Sequence, residues 1–240
     1  MLSILLCYSE NMTVQEGRKL WYLRRLNLFD SMSGDELEAI STKLRDRTCH
    51  RGETILAPDE PNEQVFLVKS GAVRIFQLSS DGREITVAIL RPGQLFGTSA
   101  LTGIGKTGTF AQAFEEAYVC EASAEEFLRI MSAHPLLAAR ITISMARQLL
   151  RMERQLEQLA FQAVPSRLAQ ALLQLAEESG GELPARLTHE DLAKLAGTTR
   201  ATVTKVLSEF AEEGIVEVGY RRLTLLDKPR LQRLGGLEDQ

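Results

Sequence analysis

The alternation of hydrophobic and polar positions divides the chain into a strand-rich part and a helical part. From about Asp46 to Val119, short runs of β-branched and aromatic residues alternate with glycine-containing turns. Strands at such regular spacing predict an antiparallel sandwich or barrel, with a hairpin turn at Asp81-Gly82. Before this part, Ser33 and the glutamate three positions later have the pattern of a capping box that opens a helix.

The helical part begins with a short helix and a long one. Ser123 and Glu126 form a second capping-box pattern. The residues between Pro135 and Pro165 contain no glycine or proline, and they predict a single helix that could reach about 45 Å. Its apolar positions recur at intervals of four and three residues, at Met145, Leu149, Met152, Leu156 and Leu159. This spacing predicts a coiled-coil dimer seam, and packing against the chain's own core is the alternative.

Two short helices and two strands are predicted near the end of the chain. Thr188 can cap the first helix, and Gly197 can form the turn after it. Thr198 or Thr199 can cap the second helix, which runs to Glu213. Two helices joined by a short turn with a glycine form a helix-turn-helix. The two strands that follow have a basic tip, which predicts a wing.

The second of these helices leaves hydroxyl and cationic side chains outside the core. No acidic residue occurs between Asp191 and Glu209, so this face is locally basic although the chain has a formal net charge of −4. We expect Arg200 to fork two hydrogen bonds to a guanine, and the neighbouring threonines and the wing to contact phosphates. A solvated basic face without a partner is the alternative. The expected contacts to double-stranded DNA are Thr188, Thr199, Arg200, Ala201, Thr202, Lys205, Arg221 and Arg222.

Composition and cysteine usage exclude several classes of protein. Hydrophobic residues make up 44% of the 240 positions and charged residues 25%, which is ordinary for a soluble globular protein. Cys7, Cys49 and Cys120 are scattered without a Cys-x-x-Cys pair, so we expect no metal site and no cofactor. Reduced, inert thiols in a cytoplasmic protein are expected, and a redox-sensing thiol at Cys49 or Cys120 is the alternative.

The start of the chain does not have the pattern of a targeting segment. The apolar residues "MLSILLCY" lack a basic leader, and Glu10 follows too soon for a signal peptide or a membrane span. We expect a loose N-terminal extension, with Met12 as an alternative start, and no contact with a membrane.

One motif suggests an enzyme. Residues Ala100–Thr107, "ALTGIGKT", fit the phosphate-loop pattern if alanine is allowed at the first position. Such a loop must open a helix, whereas an extended run to Val119 follows here. No constellation of acid, base or nucleophile is found elsewhere, so an NTPase is disfavoured and no enzyme is expected. A β-rich sensor or scaffold whose helices contact only proteins is a third hypothesis.

The order of the parts resembles the CRP/FNR superfamily of bacterial transcription regulators. The resemblance extends from about Leu20 to Asp227 and is most specific in "FLVKSGAVRIFQLSSDGREITVAILRPGQLFG" and "LTHEDLAKLAGTTRATVTKVL". It implies an α+β fold with an N-terminal antiparallel β-roll of the cyclic-nucleotide-binding type, which is a jelly roll. A long dimerisation helix and a C-terminal winged helix-turn-helix follow. The implied domains are residues 1–19, an extension; 20–133, the β-roll; 134–163, the dimerisation helix; and 164–240, the DNA-binding domain.

The resemblance also implies partners. The family forms homodimers on pseudo-palindromic promoter sites, with half-sites about one helical turn or roughly 34 Å apart, and contact with RNA polymerase is implied too. The family's recognition helix commonly reads R-E-T-V, whereas this chain has Arg200-Ala201-Thr202-Val203. Ala201 replaces a glutamate that accepts hydrogen bonds from bases, so we expect an altered or weaker preference at that base position.

The residues that bind cyclic AMP in the family are largely replaced here. The cassette resembling F-G-E-x-(A/S)-L…R-S-A has Thr98 in place of its glutamate, and no arginine lies between Arg91 and Arg129. We therefore expect a regulator that is independent of cyclic AMP and is either constitutively competent or responsive to an unidentified signal. Lys106 as a substitute phosphate contact is the alternative. The degenerate pocket would comprise Gly97, Thr98, Ser99, Lys106, Thr107, Gly108, Thr109 and, at the positions facing adenine, Met152 and Glu153.

Overall fold

The computed structural model describes residues 14–58, 61–80, 82, 84–103, 108–178, 183, 187–219 and 222–236. Most of the predicted N-terminal extension, residues 1–19, lies outside them. Packing divides the chain into two units, Met1–Gln77 with Val87–Leu150 and Leu78–Thr86 with Arg151–Gln240. The division falls within the predicted dimerisation helix, and the four predicted domains stay a prediction. No helix among the described residues is both long and apolar enough to cross a membrane.

A β-roll forms the strand-rich part of the chain, as the spacing of turns predicts. Its two four-stranded sheets have the strand orders β1-β8-β3-β6 and β2-β7-β4-β5. The ladders whose register is described are antiparallel. The strands are β1 Arg45–Cys49, β2 Thr54–Leu56, β3 Gln64–Ser70, β4 Val73–Leu78, β5 Glu84–Leu90, β6 Leu95–Phe96, β7 Phe110–Ala113 and β8 Ala117–Ser123.

Strand β3 is apolar on both faces because both faces are covered. Val65 and Leu67 pack in a cluster with helical residues such as Ile141. Phe66 and Val68 point the other way and pack with residues of both sheets inside the roll. Successive side chains of a strand alternate between its faces, so this continuous apolar run is what a strand buried on both sides requires.

Helices lie before and after the strands. They are α1 Val14–Leu23, α2 Gly34–Lys43, α3 Ala124–Ala133 and α4 Pro135–Phe161, with 3₁₀ turns at Asn27–Phe29 and Thr98–Thr102. The predicted capping box at α2 is present, because the Ser33 hydroxyl accepts from the Glu36 N–H at 3.2 Å and the Glu36 carboxylate accepts from the Ser33 N–H at 2.8 Å. Helix α4 has 27 residues, which correspond to about 40 Å.

A winged helix-turn-helix forms the last part of the chain. Its elements are α5 Val164–Glu178, α6 His189–Ala196, α7 Arg200–Glu212, the antiparallel strands β9 Val216–Gly219 and β10 Arg222–Leu225, and α8 Lys228–Leu234. The core of this part is formed by Leu168, Leu172, Leu175, Leu192, Val203, Val206, Leu207, Phe210, Ile215 and Leu231, all buried. The predicted fold class is confirmed.

The hydrophobic pattern did not predict helix α8. It has seven residues and is capped by Asp227, whose carboxylate accepts from the Arg230 N–H at 2.9 Å. Leu231 is fully buried and the helix packs against α5. So short a segment has no helical stability of its own, and it forms here because tertiary packing stabilises it.

Candidate nucleic-acid interface

The first helix of the helix-turn-helix is closed at its N-terminus by the predicted cap. The Thr188 hydroxyl accepts from the Asp191 N–H at 3.0 Å, and the Asp191 carboxylate accepts from the Thr188 N–H at 3.1 Å. The same carboxylate also accepts from the Thr188 hydroxyl at 2.7 Å. The predicted DNA contact Thr188 is therefore already engaged in shaping the start of α6.

The turn between the two helices depends on Gly197. Its φ of 59° and ψ of 47° place it in the left-handed region, where glycine carries no steric penalty. The Thr198 N–H donates to the Ala193 carbonyl at 2.9 Å, which closes the end of α6. The chain then enters α7 at Thr199, whose hydroxyl accepts from the Thr202 N–H at 3.2 Å. Of the two predicted caps, Thr199 is the one observed.

One face of α7 is buried and the other is exposed, as predicted. Val203, Val206, Leu207 and Phe210 are all buried. Leu195 on α6 is only half-buried. Because the apolar face packs in the core and fixes the helix there, the opposite face of α7 is directed to solvent.

The exposed face of α7 begins with its first two residues. Arg200 and Ala201 are exposed, and Lys205 lies on the same face one turn later. Within the described part of the chain, the Arg200 guanidinium forms no hydrogen bond or ion pair. Its donors are therefore available to a ligand with two adjacent acceptors, such as the O6 and N7 edge of guanine.

Two hydroxyls lie beside Arg200 at the start of α7. The oxygens of Thr199 and Thr202 are 2.9 Å apart. Only one of their two protons is needed for this hydrogen bond, so the other can be donated to a phosphate oxygen. The N-terminus of a helix also carries a partial positive charge that favours an anion.

A hydrogen bond between the two helices holds the position of this face. The Thr204 hydroxyl donates to the Arg200 carbonyl at 2.9 Å and lies 2.9 Å from Nδ1 of His189. Because Thr204 has one hydroxyl proton, Nδ1 of His189 is the donor in the second bond. His189 therefore links the start of α6 to α7.

The basic face is narrower than the charge pattern predicted. Lys194 forms an ion pair with Glu84 at 2.9 Å, and both side chains are mostly buried. Lys205 lies 3.8 Å from Glu209, but its side chain is 79% exposed, so solvent weakens this pair. Arg200 and Lys205 are the cations of α7 that remain accessible, and Lys194 is directed elsewhere.

The wing presents Arg222 at the start of its second strand, beside the tip of the hairpin. Arg222 is exposed and pairs with Gly219 across the ladder. Arg221, the other predicted wing contact, lies outside the described residues.

The cassette of the predicted pocket begins at a glycine in the left-handed conformation. Gly97 has a φ of 71°, and a Cβ at this position would lie 2.6 Å from the Gln64 carbonyl oxygen. The Asn62 amide donates to the carbonyls of both Gln64 and Gly97 at 2.9 Å, which holds the two segments together. Only glycine fits this close approach, which accounts for the Phe-Gly pair in the sequence.

The residues after Gly97 form a 3₁₀ turn that includes Thr98 and Ser99. The Ser99 hydroxyl is buried and, among the described residues, has no hydrogen-bond partner. Lys106 and Thr107 lie outside the described residues. Gly108 and Thr109 lead directly into strand β7 rather than into a helix, so the structure at this end does not fit a phosphate loop. Of the predicted adenine-facing residues on α4, Met152 is half-buried and Glu153 is exposed.

The two described cysteines are poor candidates for redox chemistry. Burial raises the pKa of the Cys49 thiol to about 11 and that of Cys120 to about 12. They belong to different apolar clusters on opposite faces of the sheet that contains β1 and β8. The thiolate is the reactive form, and burial disfavours it for both thiols at neutral pH. Among the described residues, no group of three or more potential ligands could hold a metal ion.

The predicted seam of α4 is exposed in the single chain. Leu149 is 58% exposed and Leu156 is 67% exposed, and Met145 is 39% exposed. The side chain of Leu159 lies outside the described residues. Large apolar side chains in a row at this exposure indicate a surface that another molecule covers.

Two family models match the chain, a cyclic nucleotide-binding domain over residues 46–134 and a Crp-like helix-turn-helix domain over residues 166–234. The cyclic AMP receptor protein of Thermus thermophilus is 34% identical over 192 residues, 80% of this chain and 88% of the relative. The CRP-like cAMP-activated global transcriptional regulator of Mycobacterium tuberculosis is 30% identical over 217 residues, 88% of this chain and 97% of the relative. The crystal structure of a CRP-family transcriptional regulator from Thermus thermophilus has a TM-score of 0.69 and 30% identity, and the match covers 79% of this chain and 96% of that one.

A β-roll combined with a winged helix-turn-helix defines a transcription regulator that binds DNA. The chain belongs to the CRP/FNR superfamily of such regulators, as its motifs indicated. It is a regulator and not an enzyme.

Proposed function

We propose that the chain is a homodimeric, sequence-specific transcription regulator that binds a pseudo-palindromic promoter site without cyclic AMP. The observation that carries the proposal is the first turn of α7. There, an exposed arginine without a partner among the described residues lies beside two hydroxyls at a helix N-terminus. This is the chemistry that binds base edges and phosphates.

Each predicted contact has a role in this proposal. Arg200 reads a guanine, and Ala201 offers only a methyl group, which suits the methyl of a thymine. Thr199 and Thr202 bind a phosphate through their spare hydroxyl proton. The remaining contacts, to the backbone or a base, come from Thr188, Lys205, Arg221 and Arg222.

The exposed seam of α4 supports the homodimer. A second copy of the helix would cover Leu149 and Leu156, which solvent contacts in the single chain. Two copies of α7 would then be presented to half-sites about 34 Å apart. In this proposal the dimer on its promoter also contacts RNA polymerase.

Independence of cyclic AMP rests on the chemistry of the cassette. A cyclic phosphate needs a cation or several N–H donors, and the ribose hydroxyl needs an acceptor. Thr98 offers no carboxylate, and no arginine occurs between Arg91 and Arg129. Loss of one charge-assisted hydrogen-bonded pair weakens the binding free energy by about 1.5–3 kcal/mol. The regulator is then either constitutively competent or responsive to a different signal.

A regulator that responds to a cyclic nucleotide is the second candidate. The names of the two relatives, a cyclic AMP receptor and a cAMP-activated regulator, favour it. Lys106 would replace the missing arginine as the phosphate contact in that case. Calorimetry with cyclic AMP on the wild type and Lys106→Ala distinguishes the two, since tight binding that the substitution abolishes supports the second candidate.

Genome-wide footprinting of the purified chain, with and without cyclic AMP, tests the whole proposal. We expect the same paired half-sites to be protected in both conditions. Protection that requires cyclic AMP would replace the first candidate by the second. Binding without any preferred sequence would contradict both, and Arg200→Ala serves as the control that retains the fold without the base contact.

A further inference from the structure

Arg167 contacts three backbone carbonyl groups at once. Its Nε donates to the Ala196 carbonyl at 2.8 Å, and its Nη1 donates to the Gln162 carbonyl at 2.6 Å. Its Nη2 lies 3.4 Å from the carbonyl of Gly197. Each of the three guanidinium nitrogens is therefore directed to a different residue of the main chain.

These carbonyls belong to parts of the chain that are distant in sequence. Gln162 directly follows α4 and continues its last turn, since its N–H donates to the Gln158 carbonyl at 2.9 Å. Ala196 ends α6, and Gly197 forms the turn of the helix-turn-helix. Arg167 itself lies in the first turn of α5. One half-buried side chain thus joins the end of α4 to the turn that precedes α7.

Physical chemistry favours arginine in this place. The last carbonyls of a helix lack partners within it, and a cation near them is stabilised by the helix dipole. Only a guanidinium has several donors in one rigid plane, whereas lysine has a single nitrogen at the end of a flexible chain. A lysine at this position could retain the charge but could not hold the two segments in a fixed relation.

We propose that Arg167 is a positioning residue that fixes the recognition helix relative to the end of the dimerisation helix, and so sets the half-site spacing that the regulator accepts. This rests on the proposed homodimer bound to a two-part site. Arg200 lies only three residues after Gly197, so a shift of the turn moves the base-reading end of α7. Arg167 itself contacts no base, and its effect is on geometry alone.

Arg230 provides a matched control in the same part of the protein. Its Nη1 donates to the Glu213 carbonyl at 3.3 Å, and its Nη2 lies 2.5 Å from the Glu213 carboxylate. It is also an arginine bound to main chain just after a helix, but at the far end of α7, and among the described residues it has no hydrogen bond to α4. Arg230→Ala should therefore cost stability without changing the spacing preference.

The test measures affinity of the full-length chain for DNA duplexes whose two half-sites are separated by different numbers of base pairs. One base pair changes the separation by about 3.4 Å and the rotation by about 34°, so a rigid dimer should favour its best spacing by about tenfold or more over neighbouring ones. Arg167→Ala should reduce that preference to within about threefold. The Arg167→Ala variant should still prefer the cognate half-site over a half-site in which the guanine read by Arg200 is replaced, because Arg200 is unchanged.

Arg167→Lys separates positioning from folding. It keeps the charge beside the end of α6, so its melting temperature should stay near that of the wild type while its spacing preference falls as in Arg167→Ala. A lysine variant, or an alanine variant, that keeps the wild-type spacing preference would overturn the inference. A wild type that binds without any spacing preference would overturn the proposed dimeric function and the inference with it.

Discussion

The hydroxyl oxygens of Thr199 and Thr202 lie 2.9 Å apart at the first turn of α7, and the Thr199 oxygen also accepts from the Thr202 N–H. One threonine thus begins the recognition helix, and the pair offers a proton at the proposed phosphate contact. The cap of this helix and the proposed phosphate contact therefore share the Thr199 hydroxyl group.

Thr199→Val should therefore affect stability and binding together. Loss of a helix cap of this kind costs about 0.5–2 kcal/mol, and DNA affinity should also fall because the phosphate contact is lost. Thr199→Ser keeps the hydroxyl and should behave as the wild type in urea denaturation and in gel shifts. A valine variant with unchanged stability would show that the cap contributes nothing.

Substitution of Arg200 should change sequence preference, whereas substitution of Lys205 should change overall affinity. Arg200→Ala should lose about 1–3 kcal/mol of discrimination at one base position of each half-site. Lys205→Ala, if Lys205 contacts a phosphate, should weaken binding to all sequences alike and make the salt dependence less steep. Competition assays over a range of salt concentrations measure both effects, and an Arg200→Ala variant that still selects the wild-type site contradicts the assigned role.

A charge in the seam of α4 should separate the dimer. Leu149→Glu or Leu156→Glu places a carboxylate where the partner helix would exclude water, which is unfavourable without a counter-ion. Light scattering after size exclusion should then give the mass of one chain. Leu128→Glu on α3 is the matched control, because Leu128 is 52% exposed but lies outside the seam. A charged seam variant that still has the mass of two chains would place the dimer interface elsewhere.

Two glycines with nearly the same backbone conformation should respond differently to alanine. Gly97 has a φ of 71° with a carbonyl 2.6 Å from the position of a Cβ, whereas Gly103 has a φ of 69° with no atom within 4 Å. Gly103→Ala should cost only the strain of the left-handed conformation, about 1–2 kcal/mol. Gly97→Ala should cost more because the Gln64 main chain must also move. Equal melting temperatures of the two variants would contradict this interpretation of the cassette.

The two buried thiols should be protected from modification until the protein unfolds. Their raised pKa values mean that the folded state favours the neutral thiol. The preference for the neutral thiol contributes to the stability of the folded state. This contribution is complete below the ordinary thiol pKa of about 8.5, and it is lost as the pH rises toward the pKa values of the thiols in the folded state. A Cys7→Ser variant should not react with a thiol reagent at pH near 8 without denaturant. Rapid labelling of the folded variant would reopen a redox role for Cys49 or Cys120.

Local chemistry explains which features could be predicted from the sequence. The caps at Thr188 and Thr199 and the turn at Gly197 depend on residues at most four positions away, so their pattern is visible in the sequence. The bonds from Arg167 to Ala196 and from Lys194 to Glu84 join residues far apart in the chain. No short-range pattern carries such contacts, and for this reason the role of Arg167 and the loss of Lys194 from the basic face were not predicted.

The exposed residues Arg200, Ala201 and Lys205 contribute neither to the core nor to the caps of α7. Substitution at these positions should change the free energy of unfolding little. The regulator could therefore acquire a new set of target promoters by a few point mutations without passing through unstable intermediates. Because substitutions at these three positions should be tolerated by the fold, they are suitable sites for selecting variants that bind redesigned operators.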